Sequence, residues 1–140
     1  MIDIGKGIIA GLIASAAVSG VVFFSAMVGL APSPDPVHAL TGILFSPLGL
    51  SWVVHFVLGT CLWGPLFSIL TPILPGPFWF KGAVFGTGAW LVMLLVVWAA
   101  DPTVSPEPAL MPVALHLLFG VTLGLIYAVL LPAKQSAIQN

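Results

Sequence analysis

Four long stretches of this chain contain no charged side chain, and they constrain its fold more than any other feature of the sequence. Each is close to the roughly 20 residues that an α-helix needs to cross the hydrocarbon core of a bilayer. None alternates between apolar and polar residues, and each is too long for one strand of a membrane barrel. The sequence therefore predicts an all-α membrane protein, a four-transmembrane-helix bundle in one domain of residues 1–140. The spans are expected at about 7–30, 50–70, 82–100 and 112–131.

The composition excludes several other classes of protein. Only 5% of the residues are charged, 60% are hydrophobic and the mean hydropathy is +1.21, whereas a soluble domain carries roughly a quarter charged residues. Three lysines and no arginine cannot form the basic surface that binds nucleic acid. The single cysteine, Cys61, excludes a disulfide framework and a C-x-x-C metal site. The expected partners are therefore the lipid bilayer and other membrane subunits or further copies of this chain.

The connections between the stretches are rich in proline, which ends helices. In the first connection, Asp35 is a helix N-cap candidate and Pro36 suits the first helical position. Residues 36–46 are too few to cross a membrane. We expect them to form a short helix at the membrane interface.

The few charged residues predict the orientation of the bundle. With four spans, the three lysines fall on one side of the membrane, and three of the four acidic residues fall on the other. The lysines are Lys6, Lys81 and Lys134, and the three acids are Asp35, Asp101 and Glu107. Because positively charged residues mark the cytoplasmic side, both termini are predicted to be cytoplasmic.

The two halves of the chain share short motifs in the same order. Residues 6–14 and 81–89 both read K-G-x-x-x-G-x-x-A, and residues 55–62 and 116–123 both read H-x-x-x-G-x-x-L. The motifs are 49 residues apart in the first half and 35 in the second, a difference of 14, which is about the length of the interfacial segment. We therefore predict two parallel helical-hairpin repeats, the first with an insertion.

Small residues recur every four positions in the first and third spans. Because apolar burial alone does not bring helices together in lipid, such small residues favour close backbone packing. We predict helix-packing roles for Gly7, Gly11, Ser15, Ser19, Gly82 and Gly86. In the second span, Gly64-Pro65 predicts an interruption, since proline cannot donate a backbone hydrogen bond.

Histidine is the only residue type in the spans that points to chemistry. His55 and His116 each lie about five residues into a span, and the repeat predicts that they share one depth. Gly59 and Gly120, each four residues later, lie on the same helix face and leave space beside the imidazole. His38 lies in the interfacial segment. An ionisable residue within a membrane helix is a functional hypothesis by default.

Three interpretations of the histidines compete. In the structural one, each histidine bonds a carbonyl or hydroxyl of a neighbouring helix and fixes its register; hydroxyl candidates are Ser25, Ser51 and Thr122. In the second, His55 and His116 hold a haem b, for which Gly59 and Gly120 clear room.

The third interpretation is a copper or zinc site. It combines His38, His55 and His116 with carboxylates of the connections, Asp35, Asp101 or Glu107. The four stretches contain no Asp, Glu, Lys or Arg and no nucleophile elbow, so a role as an enzyme is disfavoured.

Three parts of the chain resemble a family of small, four-span bacterial inner-membrane proteins of unknown function. They are residues 1–14, residues 55–64 (H-F-V-L-G-T-C-L-W-G) and residues 74–90, which begin L-P-G-P-F-W-F-K-G. The resemblance implies a multi-pass protein of the bacterial cytoplasmic membrane and transfers no activity.

Together these features predict a small accessory subunit of a larger membrane complex. The chain has almost no mass outside the membrane, its helices carry packing faces, and histidines are its only special groups. A respiratory or photosynthetic electron-transfer assembly is the expected setting. The alternatives are a haem-b or metal-binding redox protein using His55 and His116, and a homo-oligomeric channel or transporter.

Overall fold

The computed structural model describes residues 2–30, 48–100 and 110–131, and every regular element in them is helical. Helix α1 is Ile4–Met27, α3 is Phe78–Ala100 and α4 is Leu110–Leu130. Between α1 and α3, helix α2 runs through the consecutive segments Leu48–Val57, Leu58–Trp63 and Gly64–Leu70. All four helices are long and apolar enough to cross a membrane, which confirms the predicted all-α membrane fold. The expected interfacial helix at 36–46 lies outside the described residues.

Helix α2 changes its hydrogen-bond register at its centre. The segment Leu58–Trp63 is π-helical, and the N–H of Gly64 donates to the carbonyl of Gly59, five residues earlier. Regular α-helix resumes at Gly64 and includes Pro65 in its first turn. The interruption predicted at Gly64-Pro65 therefore takes the form of a wide turn directly before this pair.

Side-chain and glycine caps fix both ends of α1. The Asp3 carboxylate accepts the N–H of Lys6 at 3.1 Å and lies 2.9 Å from the Lys6 ammonium. The hydrogen bond with the Lys6 side chain, followed by that with its backbone, lowers the pKa of Asp3. At the other end, Gly29 has a φ of 75°, and Leu30 N–H donates to Ser25 O at 2.8 Å, which is a Schellman cap.

Helix α1 packs against α2 on one side and against α4 on another, and α4 packs along α3. Each of these pairs is antiparallel. The fully buried Phe67 of α2 contacts Phe85 of α3 and Tyr127 of α4, with ring centroids 5.3 Å and 5.6 Å apart. This aromatic cluster closes the bundle near Lys6 and Lys81, at what we call the lysine end. The opposite end, toward which His55 and His116 lie, is the histidine end.

Candidate functional site

Helices α1 and α2 cross with their backbones in direct contact. A Cβ added to Gly7 would lie 2.5 Å from the carbonyl oxygen of Gly64, and one added to Gly11 would overlap the carbonyl oxygen of Gly59. A Cβ on Gly59 would overlap the hydroxyl oxygen of Ser15. At Gly7 and Gly11 only glycine fits unless the helices move, whereas at Gly59 the Ser15 side chain would have to shift.

Helices α3 and α4 cross in the same manner. A Cβ on Gly82 would overlap the carbonyl oxygen of Gly120, and one on Gly86 would overlap the carbonyl oxygen of His116. Gly124 is equally restricted, because its added Cβ would overlap a backbone oxygen of α3. The structure thus places the predicted packing residues at the two crossings: Gly7, Gly11, Ser15, Gly82 and Gly86.

The two crossings use different glycine spacings. Gly59 and Gly64 are five residues apart in α2, whereas Gly120 and Gly124 are four residues apart in α4. Because a π turn contains one residue more than an α turn, Gly64 returns to the face of Gly59. The π-helical segment therefore lets α2 present both glycines to α1.

His55 lies between α2 and α1. Its Nε2 is 3.5 Å from the hydroxyl oxygen of Ser19 on α1. Its ring is nearly perpendicular to the rings of Trp52 and Phe56 on its own helix, with ring centroids 6.0 Å and 5.5 Å apart. Ser19 donates to the carbonyl of Ser15 at 2.8 Å, so its oxygen is oriented to accept from His55.

His116 bonds within its own helix. Its Nδ1 is 2.8 Å from the carbonyl oxygen of Pro112, one turn earlier. A carbonyl only accepts, so Nδ1 carries a proton, and in the neutral imidazole the lone pair is on Nε2. The first turn of α4 therefore holds one of the two ring nitrogens of His116.

The space beside the two glycines that follow the histidines is filled by neighbouring helices. The Ser15 hydroxyl lies against Gly59, and the backbone of Gly82 lies against Gly120. These glycines thus hold helix pairs together in this structure. The histidines themselves face different neighbours, Ser19 of α1 for His55 and Pro112 of α4 for His116.

Within residues 2–30, 48–100 and 110–131, no three histidine, cysteine, aspartate or glutamate side chains lie close enough to hold a metal ion. His38 and the carboxylates considered with it lie outside the described residues. They are Asp35, Asp101 and Glu107.

Sequence analysis did not single out two of the buried hydroxyl groups near the α1–α2 crossing, those of Thr60 and Ser68. With Ser15, they are buried without a hydrogen-bond partner among the described residues. The sequence signal that could have identified them is that these polar residues lie within an apolar stretch, one on each side of Gly64-Pro65.

The family comparison covers nearly the entire chain. Residues 1–138 match the model of the family DUF6789, described as a family of unknown function. No curated protein and no solved structure was found to match.

Proposed function

Because the chain belongs to DUF6789, a family of unknown function, we propose its function from its own helix faces. It is a small integral membrane accessory subunit, not an enzyme, that acts by helix packing within a larger complex. The observation that carries this proposal is a pair of outward-facing glycines, Gly20 on α1 and Gly88 on α3. No atom of the described residues beyond each glycine's own helix turn lies within 4 Å of a Cβ added there.

A glycine inside a helix is less favourable than alanine by about 1 kcal/mol. At the α1–α2 and α3–α4 crossings, close backbone contact accounts for glycine. At Gly20 and Gly88 no contact within the described chain does so, and a helix from another subunit would. Exposed Ile13 and Phe24 lie on the face of Gly20 before and after it, and exposed Val84 and Leu91 flank Gly88, so each glycine is a notch between larger neighbours.

The proposal extends to the setting of the complex. We place the subunit in the bacterial cytoplasmic membrane with both termini in the cytoplasm. Lys6 and Lys81 at one end of the helices support this orientation. An electron-transfer assembly is the proposed complex, since histidine is a common ligand of redox cofactors and His55 and His116 lie toward the histidine end.

The test is purification of the tagged chain from its native membrane in a mild detergent. We expect a partner subunit in fixed stoichiometry, which is lost when Gly20→Leu or Gly88→Leu fills a notch. The matched control is Val129→Leu, an enlargement at an exposed position of α4, whose glycines both lie at the α3–α4 crossing. A chain that purifies alone as a monomer, or an assembly unaffected by both glycine variants, contradicts the proposal. A homo-oligomer seen by native mass spectrometry would favour a channel or transporter instead.

A second candidate is a haem-b or metal-binding redox protein. The hydrogen bond from His116 Nδ1 to the Pro112 carbonyl supports it, because histidine ligands commonly donate their other N–H to a carbonyl. An absorption spectrum of the purified chain decides this candidate. A Soret band that disappears in His55→Ala or His116→Ala would support haem binding. A spectrum without a Soret band, together with no stoichiometric metal, would exclude the redox function.

A further inference from the structure

The α1–α2 pair contains hydroxyl groups that the described protein atoms leave without a partner. Ser15 is fully buried, and its Oγ has no hydrogen bond. The Oγ1 atom of Thr60 is also buried and also has no hydrogen bond. In native proteins, buried polar groups are bonded to protein or to ordered water in the great majority of cases. Ser68 is a third such group, beside Gly7 nearer the lysine end, whereas Ser15 and Thr60 lie at the level of Gly59 and point to a ligand that donates and accepts hydrogen bonds.

The backbone of Thr60 adds a third polar group at this place. In the π segment the N–H of Gly64 bonds to the carbonyl of Gly59. If each N–H bonds the carbonyl five residues earlier, the carbonyl of Thr60 would accept from residue 65. That residue is proline, which has no N–H. The carbonyl and hydroxyl of Thr60 thus lie directly after Gly59, against which the Ser15 hydroxyl is packed.

The two helices separate beyond this point. Helix α1 packs closely along Leu58–Trp63 and Gly64–Leu70 but only sparsely along Leu48–Val57. His55 and Ser19, one turn from the Ser15 level, lie in the sparsely packed part and are half-buried. Toward the histidine end the two helices are therefore less closely packed. Toward the lysine end they are in direct backbone contact at Gly64.

We propose that water binds between α1 and α2 inside the membrane-spanning part of the protein. Its ligands are Ser15 Oγ and the hydroxyl and carbonyl of Thr60, and it reaches them from the less closely packed side, where His55 and Ser19 lie. Water fits because the Thr60 carbonyl requires a donor, whereas the hydroxyls take either role. A cation would need a carboxylate to balance its charge, and the only acidic side chain in the described parts of α1, α2 and their caps, Asp3, lies at the lysine end.

The experiment is solid-state NMR of the full chain in lipid bilayers, measuring magnetisation transfer from water to the protein. We expect strong transfer to Ser15, Gly59 and Thr60. The α3–α4 crossing is an internal control, because Gly86 and Gly120 pack in the same way with no unpartnered hydroxyl among the described residues there. Transfer to those two glycines should be absent.

Two variants test the ligands. The combined change Ser15→Ala and Thr60→Val removes both hydroxyls at nearly constant volume, and we expect loss of water transfer to Gly59. Thr87→Val is the matched control, since Thr87 is exposed and bonds the carbonyl of Ala83 in its own helix; it should leave the transfer unchanged.

Transfer at Ser15 and Thr60 no stronger than at Gly86 and Gly120 in the unaltered chain overturns the proposal. Transfer to Gly59 that survives the double change also overturns it. Should the double variant fail to fold, the comparison of the two crossings in the unaltered chain still decides. The outcome is independent of whether the chain assembles with a partner subunit.

Discussion

At the scale of single residues, glycine has opposite consequences at two positions of the same helix. Gly82 lies at the α3–α4 crossing, where an added Cβ would overlap the carbonyl oxygen of Gly120, whereas Gly88 faces open space. We expect Gly82→Ala to lower the free energy of unfolding by about 1–3 kcal/mol through overpacking. Gly88→Ala should raise it by up to about 1 kcal/mol through helix propensity.

Reversible unfolding of both variants in detergent micelles, followed by circular dichroism, measures the difference. The two substitutions are chemically identical and six residues apart, so general effects of alanine cancel. Equal stability of the two variants would show that the α3–α4 crossing is not closely packed.

Tyr127 carries a second prediction at this scale. Its hydroxyl oxygen accepts the backbone N–H of Asp3 at 3.2 Å, which joins the start of α1 to the end of α4. Tyr127→Phe keeps the buried ring and removes this acceptor, so we expect a loss of about 1 kcal/mol in unfolding free energy. Trp79→Phe, at an exposed position, is the control, and the same micelle assay measures both. An unchanged stability in Tyr127→Phe would contradict a role for this bond.

The sequence identified His55 and His116 as unusual residues but not their partners. Whether His55 contacts Ser19 depends on how α1 and α2 are rotated about their own axes. Hydrophobic periodicity does not determine this rotation in helices that are apolar on every side. The carbonyl of Pro112 lies four residues before His116 in the chain. The spacing alone does not predict this hydrogen bond, because the bond depends on which rotamer the His116 side chain adopts.

At the scale of elements, the π-helical segment of α2 is the feature that the sequence predicted only in part. Gly64-Pro65 shows that a backbone donor is missing but does not say whether the helix bends or takes up an extra residue. The distinguishing sign was the spacing of the glycines, five residues from Gly59 to Gly64 and four from Gly120 to Gly124.

Deletion of one residue in each helix tests this account. Removing Cys61, an exposed residue of the π segment, gives α2 the four-residue glycine spacing of α4. We expect a regular helix, a folded protein and a change in stability below about 2 kcal/mol.

Removing Val121 from α4 is the matched control. It shortens the spacing from Gly120 to Gly124 from four residues to three and rotates the rest of α4 by roughly 100°. Gly124 and Tyr127 would then leave the buried face, at a cost above about 4 kcal/mol. Size-exclusion profiles and thermal unfolding in detergent compare the two deletions. A Cys61 deletion as damaging as the Val121 deletion would contradict the role given to the π segment.

At the scale of the whole molecule, the helical fold could be predicted because the bilayer admits few alternatives. A spanning segment must satisfy its backbone hydrogen bonds internally, so four apolar stretches of this length imply four helices. The neighbours of each helix could not be predicted, since lipid-facing and protein-facing residues are equally apolar here. Helix α1 contacts α2 through glycine and serine residues and α4 through Val18, Val22 and Leu115, and hydropathy specifies neither neighbour.

The orientation of the molecule in the membrane is the remaining prediction at this scale. Lys6 and Lys81 lie near the starts of α1 and α3, at the same end of the bundle, and positive residues are retained on the cytoplasmic side. We expect a C-terminal green fluorescent protein fusion to fluoresce and a C-terminal alkaline phosphatase fusion to be inactive, since each reporter matures on only one side. The combined change Lys6→Gln and Lys81→Gln should yield a mixture of both orientations. Asp3→Asn should leave the orientation uniform, because acidic residues contribute little to it. An active C-terminal phosphatase fusion of the unaltered chain would place the lysines outside and reverse the proposed orientation.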